Sequence, residues 1–503
     1  MGIKIYKKFL AANLIVGLAS LSTQLQGLLL IPLIVKISGP AVYGAYVLLA
    51  SIFLIALTVS TMGIGYRYRR LLPSTDDPAA RAEVFFSGII GQSLSVCVGM
   101  LLLILVFPFL EQVFLKESVP LPRVWIPVFC LAYLFHTQAC EYFRYTHRMA
   151  LFSLALIAVN FVSVAILVGL VAAGAVMNLE LLFGVQAASY AGVGLVFWWI
   201  IIRELPWRPR LSSFGQYLQD ASIGFPLVLS GLAEMISAVS DRYVIGARLS
   251  TEAIGLYAPA CALGSMVLFI PRISGVVLPP MLAQAVDGEQ TAAGDTLVRY
   301  NIRLFLLLGI PTIAGGAVVA EPALRFLANE HVASAGKYVV PIIAAASLFY
   351  GMAYILNGVF FVQRRTKAIL ASNLTVGLVK IVLGFAALAL HTGLCGVAVA
   401  ALLGQIAGLA VLLQGTIVSR AMIWDGVFFL KLMTASLVML GALIMIKTPL
   451  SQLMSGAPLV FILVAAGICF YGSGLFLFRV FDVREIEFFK KFLGKYGRLL
   501  PQG

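Results

Sequence analysis

The sequence predicts an all-α polytopic membrane protein of about fourteen helices, two six-helix lobes plus two extra helices. Three features carry that reading: an excess of apolar residues, an uneven placement of the basic ones, and a short turn that occurs twice. Of 503 residues, 61% are hydrophobic and 11% charged, and the mean hydropathy is +1.02. A soluble domain is about 25% charged. So much apolar surface does not fit inside one water-facing shell. A soluble enzyme, a disordered chain and a small disulfide scaffold are therefore excluded. Each crossing takes about 20 residues, and no polar stretch is long enough to form a separate soluble domain.

Apolar runs place the spans near 11–35, 43–66, 84–109, 124–143, 149–172, 180–202, 221–245, 256–279, 298–320, 338–362, 368–390, 395–418, 431–447 and 457–478. The first follows Lys4, Lys7 and Lys8 and is too long for a signal-peptide core, so it reads as a retained span. Tyr6 stands where a myristoylation signal needs Ser or Thr. The formal net charge of +14 reads as membrane topology, with no nucleic-acid partner. With the N-terminus inside, 25 of the 35 Lys and Arg fall on the inner side, 7 on the outer side, and 3 within spans. That is the positive-inside pattern, and an even span count puts both termini in the cytoplasm. Two amphipathic stretches, Leu211 to Gln219 and Val483 to Tyr496, are expected to lie in the inner interface.

The repeat supplies the internal organisation. Between spans one and two the chain reads Ser38-Gly39-Pro40-Ala41-Val42-Tyr43-Gly44-Ala45-Tyr46; between spans seven and eight it reads Leu249-Ser250-Thr251-Glu252-Ala253-Ile254-Gly255-Leu256-Tyr257. Gly44-x-Tyr46 superposes on Gly255-x-Tyr257 at an offset of 211. An even number of spans separates the two, so the halves share one orientation, related by an axis along the membrane normal. The expected division is an N-terminal lobe at 1–210, a C-terminal lobe at 211–420, and two helices with a basic tail at 421–503. Gly39-Pro40 should stop span one, Gly44 should admit a close neighbour, and Tyr46 suits the outer interface.

Charge inside a span is costly, about 2.5–3.5 kcal/mol at its centre, and marks a wet cavity or a partner. Span seven carries Glu234, Asp241 and Arg242, span eight Arg272, and span eleven Lys380. Lys380 shares a helical face with Asn373, Gly377 and Gly384; in span one, Asn13, Gly17, Ser20, Gln24 and Gly27 form a similar stripe. Each has a structural alternative: snorkelling for Arg242 and Arg272, a buried pair with Glu234 or Asp241 for Lys380, helix packing for the stripes. Gly404-x-x-x-Gly408 reads as packing alone. The six cysteines and four histidines are scattered, with no metal-ligand spacing, and no nucleotide loop or catalytic constellation is present, so no cofactor is expected.

Three stretches resemble a known family: Gly-Pro-x-x-Tyr-Gly-x-Tyr at 39–46, Asp241-Arg242 followed by Ile245-Gly246, and Ala253-Ile254-Gly255-Leu256-Tyr257. They look like the polysaccharide transporter (Wzx-type flippase) branch of the multidrug/oligosaccharidyl-lipid/polysaccharide exporter superfamily. Many relatives carry an Asp near the end of span two, where this chain reads Thr61-Met62-Gly63-Ile64-Gly65. The strongly arginine-rich first span of the peptidoglycan-precursor flippases is also missing. The resemblance implies a non-enzyme in the bacterial cytoplasmic membrane. It would move an undecaprenyl-pyrophosphate-linked oligosaccharide from inner to outer leaflet for O-antigen, capsule or exopolysaccharide assembly. Its partners would be that glycan, membrane lipids and polysaccharide synthesis proteins. Arg242, Arg272 and Lys380, with Gln24 and Asn373, would meet the substrate by alternating access, and Glu234 and Asp241 would be cavity acids or ion-coupling sites. The lipid tail would leave through a gap beside spans one and eight. Alternatives are an ion-coupled multidrug or small-molecule antiporter of the same superfamily, and a membrane glycosyltransferase, polymerase or scaffold of a synthesis complex.

Overall fold

The computed structural model describes residues 2–75, 77–116, 121–206, 213–275, 278, 282, 291–363, 365–414 and 426–480, with side chains from 15 onward except at 67 and 291–295. Among them run fifteen helices: α1 (Gly2–Ser60), α2 (Tyr66–Leu71), α3 (Pro78–Leu110), α4 (Trp125–Tyr145), α5 (Met149–Ala172), α6 (Leu179–Glu204), α7 (Phe214–Arg248), α8 (Thr251–Gly264), α9 (Thr291–Leu327), α10 (Glu330–Gly336), α11 (Val339–Val362), α12 (Thr366–Ala389), α13 (Gly393–Gln414), α14 (Gly426–Leu453) and α15 (Ala457–Leu477). Twelve helical segments, α8 counted with its continuation to Gly275, are long and apolar enough to cross a membrane. The chain is a multi-pass, all-α membrane protein. The first of those segments is two crossings in one: Gly39 takes φ 85° and ψ 171°, and the helix bends there. Only glycine adopts that φ freely. α4 has 21 residues, enough for a further crossing; its Glu141 and Arg144 lower its hydropathy. Fourteen crossings result, at the positions the apolar runs mark.

Helix starts follow local chemistry. The side chains of Asn178, Ser250 and Asn329 accept hydrogen bonds from the backbone N–H three residues on, at 2.8, 3.2 and 3.0 Å. These are N-caps, and they satisfy donors that the first turn leaves open. Ser213 caps α7 likewise, at Gln216. The stretch from Leu211 to Gln219 is therefore not a separate interfacial segment. From Ser213 on it is the start of α7, and residues 207–212 lie outside the described ones. Tyr217 in that start reaches the other lobe, donating to the Ser87 carbonyl on α3 at 3.1 Å. The tail from Val483 to Tyr496 lies outside the described residues.

Buried residues form three groups that reveal how the halves meet. At the charge-poor end of the bundle, one apolar core runs through both halves, joining Ile34, Leu48, Phe53, Phe107, Phe129 and Phe183 to Ile245, Ile254, Tyr257, Leu324 and Val339. At the basic end the core splits. One part, around Tyr68, Phe85, Tyr142 and Trp198, belongs to the first half. The other, around Phe305, Leu356, Leu432 and Leu463, belongs to the second half and takes in α14 and α15. The last two helices are thus packed as an annex on α9.

The two copies of the repeated turn touch each other. A Cβ on Gly44 would overlap the Thr251 carbonyl oxygen, and a Cβ on Gly255 would overlap the Pro40 carbonyl oxygen. Residues 44 and 255, and likewise 40 and 251, are equivalent at the offset of 211. The contact is therefore reciprocal, as an axis along the bundle requires. Tyr46 does not sit at a membrane surface; it is half-buried, with its ring 5.3 Å from that of Phe183, because the turn itself is buried between the halves. The lobes also meet towards the basic end. Gly63 lies against the Gly224 backbone, and Gly17 would place a Cβ 3.3 Å from Ile273. The seam between the first arm of α1 and the continuation of α8 is closed at that contact, where a lateral gap was expected.

Candidate functional site

Between the halves lies a cavity of about 570 Å³. Its wall is built from both arms of α1, from α7 and α8, and from α11, α12 and α13. α7 supplies one polar stripe because residues 234, 238, 241 and 242 share a helical face. α12 supplies Lys380, whose ammonium enters between α12 and α7.

Near the closed end, Lys380 Nζ donates to the Ser237 carbonyl at 2.8 Å and lies 3.6 Å from Asp241 Oδ2. Tyr257 Oη donates to the same Oδ2 at 3.1 Å, and the Arg242 backbone N–H donates to Asp241 Oδ1 at 3.0 Å. The two side chains are 4% and 9% exposed. Their pairing, with these extra hydrogen bonds, is what allows both charges to stay in so apolar a setting. Gly404 makes room for it: a Cβ there would stand 2.8 Å from Lys380 Cγ. The Gly404-x-x-x-Gly408 pair is packing, as read, but one of its glycines also houses the stem of a cavity cation.

Arg242 is half-buried on the cavity wall, and Arg272 is exposed and lines the same space. Among the described residues, neither guanidinium has a carboxylate partner within 4.0 Å, whereas Lys380 has Asp241. Gln24 lines the wall too, with Nε2 buried and without a hydrogen-bond partner among the described residues. Glu234 is exposed on α7, and Tyr350 Oη on α11 donates to its Oε1 at 3.4 Å. The wall proper carries three cations, Arg242, Arg272 and Lys380, against one carboxylate, Asp241.

Gln24, Asp241, Arg242, Arg272 and Lys380 thus meet in one chamber, with Glu234 at its edge. Asn373 is not part of that wall. It is buried on α12, in the stripe whose Gly377 and Gly384 pack on Ser237 and Val244 of α7. The Asn/Gly/Lys stripe is a packing seam that Lys380 alone leaves for the cavity. In span one, Gly17 packs on Ile273 while Gln24 and Gly27 line the chamber; the side chain of Asn13 lies outside the described ones. Sequence reading missed Tyr257, Ser237, Tyr350 and Gln405 as parts of the site. Tyr257 was visible only as a turn residue, and Tyr350 signals itself only through its spacing with Tyr354 on one face of a helix.

Two parallel helical halves, sealed at one end and enclosing a net positive chamber, define a class: the two-lobed membrane transporter fold. Residues 10–286 match the family model described as polysaccharide biosynthesis protein, and residues 226–386 match that described as MatE. The chain belongs to the polysaccharide biosynthesis protein family, within the superfamily its motifs resemble. It is 26% identical over 201 residues to a probable lipid II flippase MurJ of Haemophilus influenzae. That alignment covers 36% of this chain and 38% of the relative, so the chain spans well under half of that curated protein's length. Its fold is similar to that of lipid II flippase MurJ in an inward closed conformation, with TM-score 0.68, 16% identity, and coverage of 92% of this chain and 99% of the other. It is also similar to an inward-facing multidrug resistance MATE family transporter, with TM-score 0.63, 13% identity, and coverage of 81% and 96%.

Proposed function

We propose that the chain is a flippase that carries an undecaprenyl-pyrophosphate-linked oligosaccharide from the inner to the outer leaflet of the bacterial cytoplasmic membrane, for surface polysaccharide such as O-antigen, capsule or exopolysaccharide. The observation that carries this is the chamber's charge: three cations against one carboxylate, with Arg242 and Arg272 lacking carboxylate partners among the described residues. A diphosphate diester brings about two negative charges. Cations already fixed in the wall offset the cost of taking those charges out of water. The membrane potential, negative inside, favours their outward movement by about 2.3 kcal/mol per charge per 100 mV. The basic end of the bundle faces the cytoplasm with both termini, and the lobes rock against each other so that the turn pair is closed when the chamber opens inward and parted when it opens outward. Membership of the polysaccharide biosynthesis protein family supports the substrate class. Synthesis proteins that load and consume the carrier would be its partners.

A second reading is an ion-coupled antiporter of the same superfamily. The MatE match at 226–386 favours it, since that segment contains Glu234 and Asp241. Against it, Asp241 is already held by Lys380 and Tyr257. One experiment separates the two. Arg242→Gln and Arg272→Gln, each tested in cells depleted of the wild-type protein, should stop surface glycan and leave protein abundance unchanged, with lipid-linked glycan accumulating inside. Normal export by both variants overturns the flippase reading. Loss of drug resistance with normal glycan supports the antiporter.

A further inference from the structure

The charged groups of the chamber fall into two sets along the bundle. Asp241, Arg242 and Lys380 stand near the sealed end. Glu234 stands seven residues earlier on α7, about 10 Å away at 1.5 Å of rise per residue. Tyr350 donates to Glu234 Oε1 at 3.4 Å, and Tyr350 and Arg272 line the same chamber.

This second set is the poorer one for a phosphate, because its one guanidinium is matched by a carboxylate, whereas in the first set two cations stand with one carboxylate. It has the right chemistry for a pyranose. A sugar ring offers a face of C–H groups that lies on an aromatic side chain, and a rim of hydroxyls. The hydroxyls donate to a carboxylate and accept from a guanidinium. Tyr350 is also held in place. The ring of Tyr354, one turn further along α11, lies 6.0 Å from it at 44°. Tyr354 in turn fills space that exists because residue 275 is glycine; a Cβ there would overlap its ring. A fixed aromatic surface with two polar groups at its edge loses little entropy on binding.

We propose that Glu234, Tyr350 and Arg272 form a glycosyl subsite, which takes the sugar nearest the carrier while Arg242 and Lys380 take the diphosphate. This rests on the flippase reading and divides its cavity into two chemically distinct stations. It predicts that the protein senses whether the carrier is loaded, since the bare diphosphate lipid fills only one station.

The test uses the full chain in lipid nanodiscs and two probes, undecaprenyl pyrophosphate and the same lipid bearing one N-acetylglucosamine. The readout is the ratio of their dissociation constants. The wild type should hold the glycosylated probe about tenfold more tightly. Tyr350→Ala should bring the ratio close to one, Tyr350→Phe should keep most of it because the ring remains, and Glu234→Gln should lower it several-fold. Arg242→Gln should weaken both probes alike. A wild-type ratio of one, or a Tyr350→Ala loss that is equal for both probes, overturns the subsite and leaves the flippase reading standing. Failure of the wild type to bind either probe overturns the flippase reading, and the subsite falls with it.

Discussion

Asp241 and Lys380 cost the fold more apart than together. Each is buried, and each is satisfied mainly by the other and by Tyr257 and the Ser237 carbonyl. Removing one partner strands a charge, at about 3–5 kcal/mol. Lys380→Met alone should therefore lower the thermal midpoint in detergent markedly, and Asp241→Asn combined with it should restore most of the loss. A double-mutant cycle by thermal unfolding checks this; additive losses would show the pair to be energetically idle. Arg242 makes no such pair within the described residues, so Arg242→Gln should leave the midpoint nearly unchanged while removing export. Gly404 behaves differently again. Leucine there would press on the Lys380 stem, and overpacking of this kind costs about 1–3 kcal/mol, read in the same unfolding assay. The sequence announced the charges themselves, because ionisable residues in apolar spans are rare. It did not announce Tyr257, which looked like a turn residue, nor separate Lys380 from its neighbour Asn373, which shares its face but stays in the seam.

The helices carry two kinds of contact that set the chamber's shape. One is amide chemistry within the first lobe: Asn160 Nδ2 donates to Ser22 Oγ and Thr23 Oγ1 at 3.0 Å each, and Gln26 Nε2 donates to Ser163 Oγ at 2.7 Å. These bonds fix how the first arm of α1 turns on α5, and so which of its polar residues, Gln24, faces the chamber. The other is backbone against backbone at the turn pair, where Gly44 meets Thr251 and Gly255 meets Pro40. Close approach of this type needs residues without a side chain. Gly44→Val should hold the seal apart. In a cysteine-free background carrying Ala50→Cys on the cavity wall, a membrane-impermeant maleimide added at the charge-poor side should then label several-fold faster. Unchanged labelling would mean that the turn pair is not the seal. The repeat itself was legible as Gly-x-Tyr at a fixed offset. That its two copies press against each other was not, since periodicity along a chain says nothing about which copy lies beside which.

At the scale of the whole molecule, the turn contact is reciprocal and charge is not. At the offset of 211, Leu30 is the counterpart of Asp241 and Gly169 that of Lys380. The halves share the repeated turn, but only the second carries this ion pair. The core follows the same logic: continuous across both halves at the charge-poor end and divided at the basic end. Such a body hinges more readily than it shears, since its fused end resists sliding. Reporter fusions at the two termini should both report the cytoplasmic side, and an outward report from either would break the topology. A cysteine pair at positions 17 and 273, where a Cβ on Gly17 would stand 3.3 Å from the Ile273 side chain across the lobes, should arrest glycan export when oxidised and release it when reduced. Export that persists with the pair fully oxidised would show that the lobes need not part there.

The apolar excess, the spans and the doubled turn followed from the sequence alone, because a bilayer dictates the length and composition of whatever crosses it. The tertiary structure decided which polar residues meet. Asp241 and Lys380 lie 139 residues apart in the chain and stand 3.6 Å apart in space. That distance is set by how the helices pack, and apolar residues of many kinds would satisfy the same hydropathy without fixing it.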